Sequence, residues 1–387
     1  MFLKEPKKQL VAVFDIGSAS VGSLLFNKRK DKKPEILAIS RQPVDYSNKK
    51  SVSVMWKSMR TALDTVTKNT HKNFSQKPDV AVCVFSAPWY IPKVKIIKVR
   101  RDVPFVIDKD LLKDVIEDEV SILQEDRRYS SAKHGSLFFE KGFLKVKLNG
   151  YEVPNPANKK AKLLEMYTYF SLGLKVLVDK IKESVLLYTK DDNVHMHSFP
   201  FVLFSVFKKI FDTTEGMLVV DISGDLTDVV LIEKNYIKEI SSFPKGENFF
   251  IRRVMSALNM EMGEARSAVS QYKRGELSQT LHQKIGEVLK SAGEDWRKTL
   301  KELFNDMSKN KALPENLYFL GSAGQLKEIY EPVGGKEFSD FTFLRKPFTV
   351  KFMLSKSLKN YFDFKQNTTN KEDVFLLLSS LFADKII

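Results

Sequence analysis

The sequence predicts an α/β protein of two similar lobes, with a small α+β module inserted into the first. Three observations carry this. Residues 13–26 align without a gap on residues 219–232: in each, an apolar run ends in an aspartate (Asp15, Asp221), small residues follow, and the chain turns apolar again. An internal repeat at that separation implies duplicated lobes. Short β-rich runs alternate with stretches of helical apolar spacing. Between about residues 99 and 178, one helix-like stretch is followed by several strand-like ones.

Taken in order, residues 10–14 read as a buried strand, 15–22 as a small-residue turn, and 23–26 and 35–39 as two further strands. The lysine run 28–33 between them reads as a solvated hairpin tip. Val52, Met55, Trp56, Met59, Ala62, Leu63 and Val66 fall at helical spacing. Residues 80–85 form a continuous apolar strand that buries Cys83 as an inert thiol. Asp108 is placed to cap a helix running to about Gln124. Strands are expected at 136–139, 143–148 and 163–172, and a helix over 174–187. The first pattern returns at Met217, and a charged helical region covers 246–311. Residues 317–320 form a strand entering the glycine turn Gly321-Ser322-Ala323-Gly324, and 374–387, apolar on most sides, reads as a helix packed into the first lobe. The expected division is 1–98 and 179–216 for the first lobe, 99–178 for the insertion, 217–345 for the second lobe, and 346–387 returning to the first.

Composition narrows the function classes. Of 387 residues 43% are hydrophobic and 29% charged, which excludes a disordered chain. One cysteine excludes an internal disulfide framework and a cysteine-based zinc site, and fits a reducing, cytoplasmic setting. No apolar run approaches the roughly 18 residues of a membrane-spanning helix. The net charge of +15 invites a nucleic-acid hypothesis, but the lysines are scattered and no aromatic–basic platform or helix-turn-helix accompanies them, so no nucleic-acid partner is expected. There is no nucleophile elbow, Walker lysine loop or Gly-x-Gly-x-x-Gly turn. His195 and His197 share one face of a strand without an evident third ligand, and read as a surface pair.

The two aspartate turns carry the chemistry. Each sets a carboxylate beside several backbone N–H groups, which can cradle phosphate oxygens while the carboxylate holds hydrated Mg²⁺. Two such hairpins from two lobes can grip one polyphosphate from both sides. In the third turn, glycines let backbone approach a flat base or sugar.

These three motifs resemble the phosphate-1, phosphate-2 and adenosine motifs of the actin-like (ribonuclease H-like) ATPase superfamily. Residues 149–161 resemble part of the inserted, SHS2-like subdomain of the FtsA/PilM branch, with an FtsA-like cell-division protein favoured and a PilM-like type IV pilus platform as the alternative. The resemblance implies ATP and Mg²⁺ as cofactors. It implies Asp15 and Asp221 as catalytic residues that bind Mg²⁺ through water. Gly17, Ser18 and Ala19 would lie at the β-phosphate, Gly224 and Asp225 near the γ-phosphate, and Gly321 and Ser322 at the α-phosphate and adenine. Thr227 matches a motif threonine, and Gly246 a family glycine turn. Glu264 and Arg266 fall where family helices contact ribose. The implied role is a cytoplasmic scaffold at the inner face of the membrane, binding FtsZ-like filaments or other division proteins, or alternatively pilus proteins, with self-association and peripheral membrane contact as further options. A sugar-kinase-type phosphotransferase is a third reading.

Departures from the pattern matter equally. Gly22 stands where family members often have Lys or Arg. Ser223 and Asp225 replace glycines, and Asp225 adds negative charge near the expected γ-phosphate. Residues 198–203 offer no Gln or Glu to orient water, so ATP binding is expected with weak or absent hydrolysis.

Overall fold

The computed structural model describes residues 9–44, 52–72, 74, 76–126, 135–309, 311–321, 323–366, 368 and 372–387. The first lobe opens with β1 (Gln9–Ile16), β2 (Ser20–Lys28), β3 (Glu35–Pro43), α1 (Val52–His71) and β4 (Val80–Phe85). The insertion contains β5 (Tyr90–Ile107), α2 (Lys109–Glu125), β6 (Ser136–Leu148), β7 (Tyr151–Glu152) and β8 (Lys159–Leu174). The chain returns through α3 (Lys175–Leu186), β9 (Val194–Ser198) and α4 (Phe199–Ile210). The second lobe has β10 (Met217–Ser223), β11 (Leu226–Glu233), β12 (Tyr236–Phe243), α5 (Glu247–Leu258), α6 (Met262–Arg274), α7 (Gln279–Ser308), β13 (Asn316–Leu320), α8 (Lys327–Val333) and β14 (Thr349–Phe352). The last elements are α9 (Ser355–Leu358), β15 (Asp363–Phe364) and α10 (Val374–Ile386).

The repeat in the sequence is a repeat in topology. The first sheet has the order β15-β3-β2-β1-β4-β9 and the second β12-β11-β10-β13-β14. In both, three antiparallel strands are followed by two added in parallel to the first. Strands β1, β2, β3, β4 and β9 thus correspond one for one to β10 through β14, with β15 an extra edge. The run at 28–33 is the β2–β3 hairpin tip, and it is tied down: Lys28 Nζ lies 2.7 Å from the carbonyl of Asp384, and Arg29 pairs with Asp363.

Strand periodicity aims the two aspartates. Side chains alternate faces along a strand. On β1, Leu10, Ala12, Phe14 and Ile16 pack beneath α1 and α3 with Met59, Ala62, Leu63 and Val66. The side chains of Val52 and Met55 lie outside the described residues. Val11 and Val13, on the opposite face, belong to a core that also holds Val219 of β10 and Val230 of β11. Asp15 and Asp221 continue those inward rows, so both carboxylates point into the space between the lobes. Helices α4 and α10 fill the rest of that space. Leu376, Leu377, Leu378, Leu381 and Phe382 of α10 are buried there, the all-round burial expected of a helix apolar on most sides.

Three boundaries differ from the sequence expectation. Strand β5 runs from Tyr90, paired with Gly173, to Ile107, paired with Lys159, with a register shift between Arg100 and Phe105, so the insertion starts well before residue 99. The stretches 136–139 and 143–148 are one strand, because register shifts between Phe138/Glu140 and Phe143/Lys145 absorb the break. Strand β14 pairs with β13, which keeps the chain in the second lobe to Phe352. Asp108 caps α2 as expected, its carboxylate accepting from Leu111 N at 2.8 Å. The four-stranded inserted sheet also reaches the second lobe: Tyr90 donates to Asp228, the Tyr167 and Tyr236 rings meet edge-on at 4.6 Å, and Lys145 Nζ lies 3.0 Å from the Lys234 carbonyl.

Candidate nucleotide cleft

A cleft of about 590 Å³ opens between the lobes, within the range of small-molecule sites. Its walls include Asp15, Gly17, Ser18, Ala19 and Ser20 from the β1–β2 turn. Ile222, Ser223 and Gly224 come from the β10–β11 turn, and Gly321 with Gln325 from the chain after β13. The three motifs read from the sequence therefore converge. Ser322 lies outside the described residues.

The two phosphate-type turns touch. Asp225 N donates to Ser18 Oγ at 3.0 Å across the cleft. Gly224 has φ +56°, and a Cβ there would fall 2.1 Å from Ser18 Oγ, so this approach requires glycine. Gly321 has φ +83°, and its Cβ would fall 2.3 Å from the carbonyl of Ile222; the third turn presses directly on the end of β10.

The aspartates themselves are held differently. Asp15 is buried with both oxygens engaged: Oδ2 accepts from Arg41 Nη2 at 2.7 Å and Oδ1 from Ser86 Oγ at 3.1 Å. Burial raises its pKa, an effect that Arg41 opposes. Asp221 is also buried, but its Oδ1 has no hydrogen-bond partner among the described residues. Burial, then the Asp228 carboxylate opposite it on β11, raises its pKa well above the usual carboxylate range, and a Ser223 hydrogen bond only partly offsets this. Asp228 is itself pushed up by burial, although it accepts hydrogen bonds from Ser242 Oγ and the Tyr90 hydroxyl.

Other sequence-named residues support the turns from behind. Gly246 opens α5 with its Cα against the second turn, where a Cβ would lie 2.5 Å from the Gly224 carbonyl. Its N–H donates to the Asp225 carbonyl at 3.1 Å. Thr227 is fully buried, donating to the Lys245 carbonyl and accepting from Trp296 Nε1, so it is a packing residue. The negative charge of Asp225 is met by Arg252 Nη1 at 2.8 Å. Arg266 lines the cleft and donates to Asn248 Oδ1, whereas Glu264 closes the capping box of α6. His195 is exposed, and His197 Nδ1 lies 3.1 Å from Glu140 Oε1. Cys83 is buried and its thiol is pushed up to about 12.

Three features escaped the sequence reading. Arg41, on β3, bridges Asp15 and Asp373, and supplies a cation beside Gly22, its cross-strand partner. Gln325 joins the cleft wall after the third turn. Glu140 comes from the insertion to the start of α4, where it accepts from Ser198 N and Ser198 Oγ at 2.8 and 2.9 Å. No local pattern betrays Arg41 and Glu140, because each acts on a segment distant in the chain, whereas Gln325 directly follows the third turn.

Among the described residues no group of three or more His, Cys, Asp and Glu could ligate a metal, and no helix is long and apolar enough to cross a membrane. No protein-family model matches the chain, and no curated protein matches it. Among solved structures, the chain is similar to PilM in a PilM–PilN type IV pilus biogenesis complex, at 14% identity over 96% of this chain and 98% of that one, with a TM-score of 0.61. A Bacteroides thetaiotaomicron protein with an actin-like ATPase fold and unknown function aligns at 10% identity over 91% and 94% (TM-score 0.46). The ethanolamine utilization protein EutJ from Carboxydothermus hydrogenoformans aligns at 11% identity over 96% and 90% (TM-score 0.46). With its duplicated sheets and converging turns, the chain has the two-lobed fold of the actin-like ATPases.

Proposed function

We propose that this chain is an ATP-binding scaffold of PilM type, in which nucleotide in the cleft sets the relation of the two lobes and thereby the surfaces offered to protein partners of a pilus-assembly system at the inner face of the membrane. One observation carries the nucleotide reading: two glycine-bearing acidic turns from separate lobes meet across a cleft, and one of them leaves a buried carboxylate oxygen without a partner among the described residues. The turn backbones supply N–H donors of the kind that hold phosphate oxygens. The residues fit ATP in the size of the cleft and in the bare backbone at Gly224 and Gly321. They fit Mg²⁺ best on the Asp221 side, since each oxygen of Asp15 already accepts a hydrogen bond, one from Arg41 and one from Ser86. A bound Mg²⁺ would supply charge neutralisation of the phosphates. Asp221 is the residue we assign to holding water beside them, while Asp15 fixes the first turn.

The likeness to PilM over nearly the whole of both chains favours the pilus role over the division role preferred from sequence. Titration calorimetry of Mg-ATP into the full chain tests the first half: binding is expected, weakened at least about tenfold in Asp221→Ala, and no binding by the parent chain overturns it. For the second half, the chain is passed over immobilised PilN and FtsZ counterparts from the same cell. Retention on PilN is expected; retention on FtsZ alone reinstates the division role.

A further inference from the structure

We propose that Arg41 is a phosphate-binding cation of the cleft, placed at its first turn, and that Asp373 is the anion it exchanges for phosphate. The inference rests on the nucleotide reading above and names the residue through which that ligand would act on the fold.

Arg41 lines the cleft with 28% of its side chain exposed. Its Nε donates to Asp373 Oδ2 at 2.5 Å, Nη2 to Asp15 Oδ2 at 2.7 Å and Asp373 Oδ1 at 3.0 Å, and Nη1 to Ser20 Oγ at 2.8 Å. These contacts use four of the five N–H donors of a guanidinium. The group also fills the space over its cross-strand partner: a Cβ at Gly22 would lie 2.8 Å from Nη2. A cation therefore sits beside the first phosphate-type turn, delivered from the neighbouring strand.

Two carboxylates share this one charge, and they are not equivalent. Asp15 is walled in and keeps a second partner in Ser86. Asp373 stands on the cleft wall, and as N-cap of α10 it accepts from Leu376 N at 3.1 Å, a bond it retains when Arg41 leaves. A phosphate carries more charge than a carboxylate and offers guanidinium the same two-pronged geometry, so it displaces the anion with somewhere else to go. Phosphate binding and the start of α10 then compete for one guanidinium, which couples the cleft to a helix packed through the interlobe core.

Substitution on the two sides of this pair gives opposite signs. Asp373→Asn keeps the cap, because Asn caps as well as Asp, and removes the competing charge. Calorimetry with Mg-ATP on the full chain should show about three- to tenfold tighter binding in Asp373→Asn and at least about tenfold weaker binding in Arg41→Ala. Adding Gly22→Lys to Arg41→Ala returns a cation to the vacated space and should bring affinity back to within about threefold of the parent. Unchanged or weaker binding in Asp373→Asn overturns the proposal, as does unchanged binding in Arg41→Ala. If Arg41→Ala does not fold, Asp373→Asn decides alone. A parent chain that binds no ATP is the failure of the nucleotide reading itself, separable because it appears before any substitution is made.

Discussion

The hairpins β1–β2 and β10–β11 have the same backbone pairing and the same inward aspartate, yet their carboxylates live in different surroundings. Around Asp15 the protein has supplied a guanidinium and a hydroxyl; around Asp221 it has supplied a second carboxylate, and one Asp221 oxygen has no hydrogen-bond partner among the described residues. The partners of Asp15 come from β3 and from Ser86 just past β4, while Asp228 lies within the repeated hairpin itself. Duplication thus transmits geometry, whereas charge is decided by whatever packs against each copy. One hairpin has become framework, and the other holds chemical potential in reserve.

The largest test of that contrast is to remove each carboxylate in turn. Asp15→Ala leaves Arg41 half-paired in a buried setting, and urea unfolding should show a loss of about 2–4 kcal/mol, tempered by the partial exposure of Arg41. The same measurement on Asp221→Ala should show little loss; equal losses would erase the asymmetry. A smaller contrast lies in the glycines. Gly224→Ala forces a side chain into a left-handed conformation and against Ser18, and should cost about 1–3 kcal/mol. Gly17→Ala, with its nearest clash at 3.0 Å from the Ser20 carbonyl and no left-handed backbone, should cost under about 1 kcal/mol in the same assay.

The smallest effect has the opposite sign and depends on pH. Because the pKa of Asp221 is raised in the fold, the folded chain holds a proton that the unfolded chain releases above about pH 4, so stability falls as pH rises through that window toward the folded value. Asp221→Asn removes the penalty. Thermal unfolding should find the variant level with the parent at pH 4 and more stable at pH 7; a variant less stable at pH 7 would mean that Asp221 is well paired after all.

What could be read from sequence was whatever a local pattern encodes. The duplicated turns, the glycine turn after β13, the Asp108 cap and the apolar α10 each have a signature within a few residues of one another. The cleft's electrostatics have none. Arg41 reaches Asp373 and Tyr90 reaches Asp228 only because strands and insertion bring distant segments together, and by the same route Arg41 supplies the charge absent at Gly22 and Arg252 the charge that meets Asp225. The start of the insertion has no local signature either: β5 carries an exposed, mixed pattern along most of its length, without the clean alternation that marks a half-buried strand.

The seat of the inserted sheet has a mechanical corollary. Its strands belong covalently to one half of the molecule, while Tyr90, Lys145 and Tyr167 grip the hairpin of the other half. Rotation of the halves must then either break that grip or drag the sheet along, and both outcomes alter a face remote from the phosphate turns. A pair of fluorescent labels, one on β7 and one on the β11–β12 bend, would turn events in the cleft into a distance readable from outside.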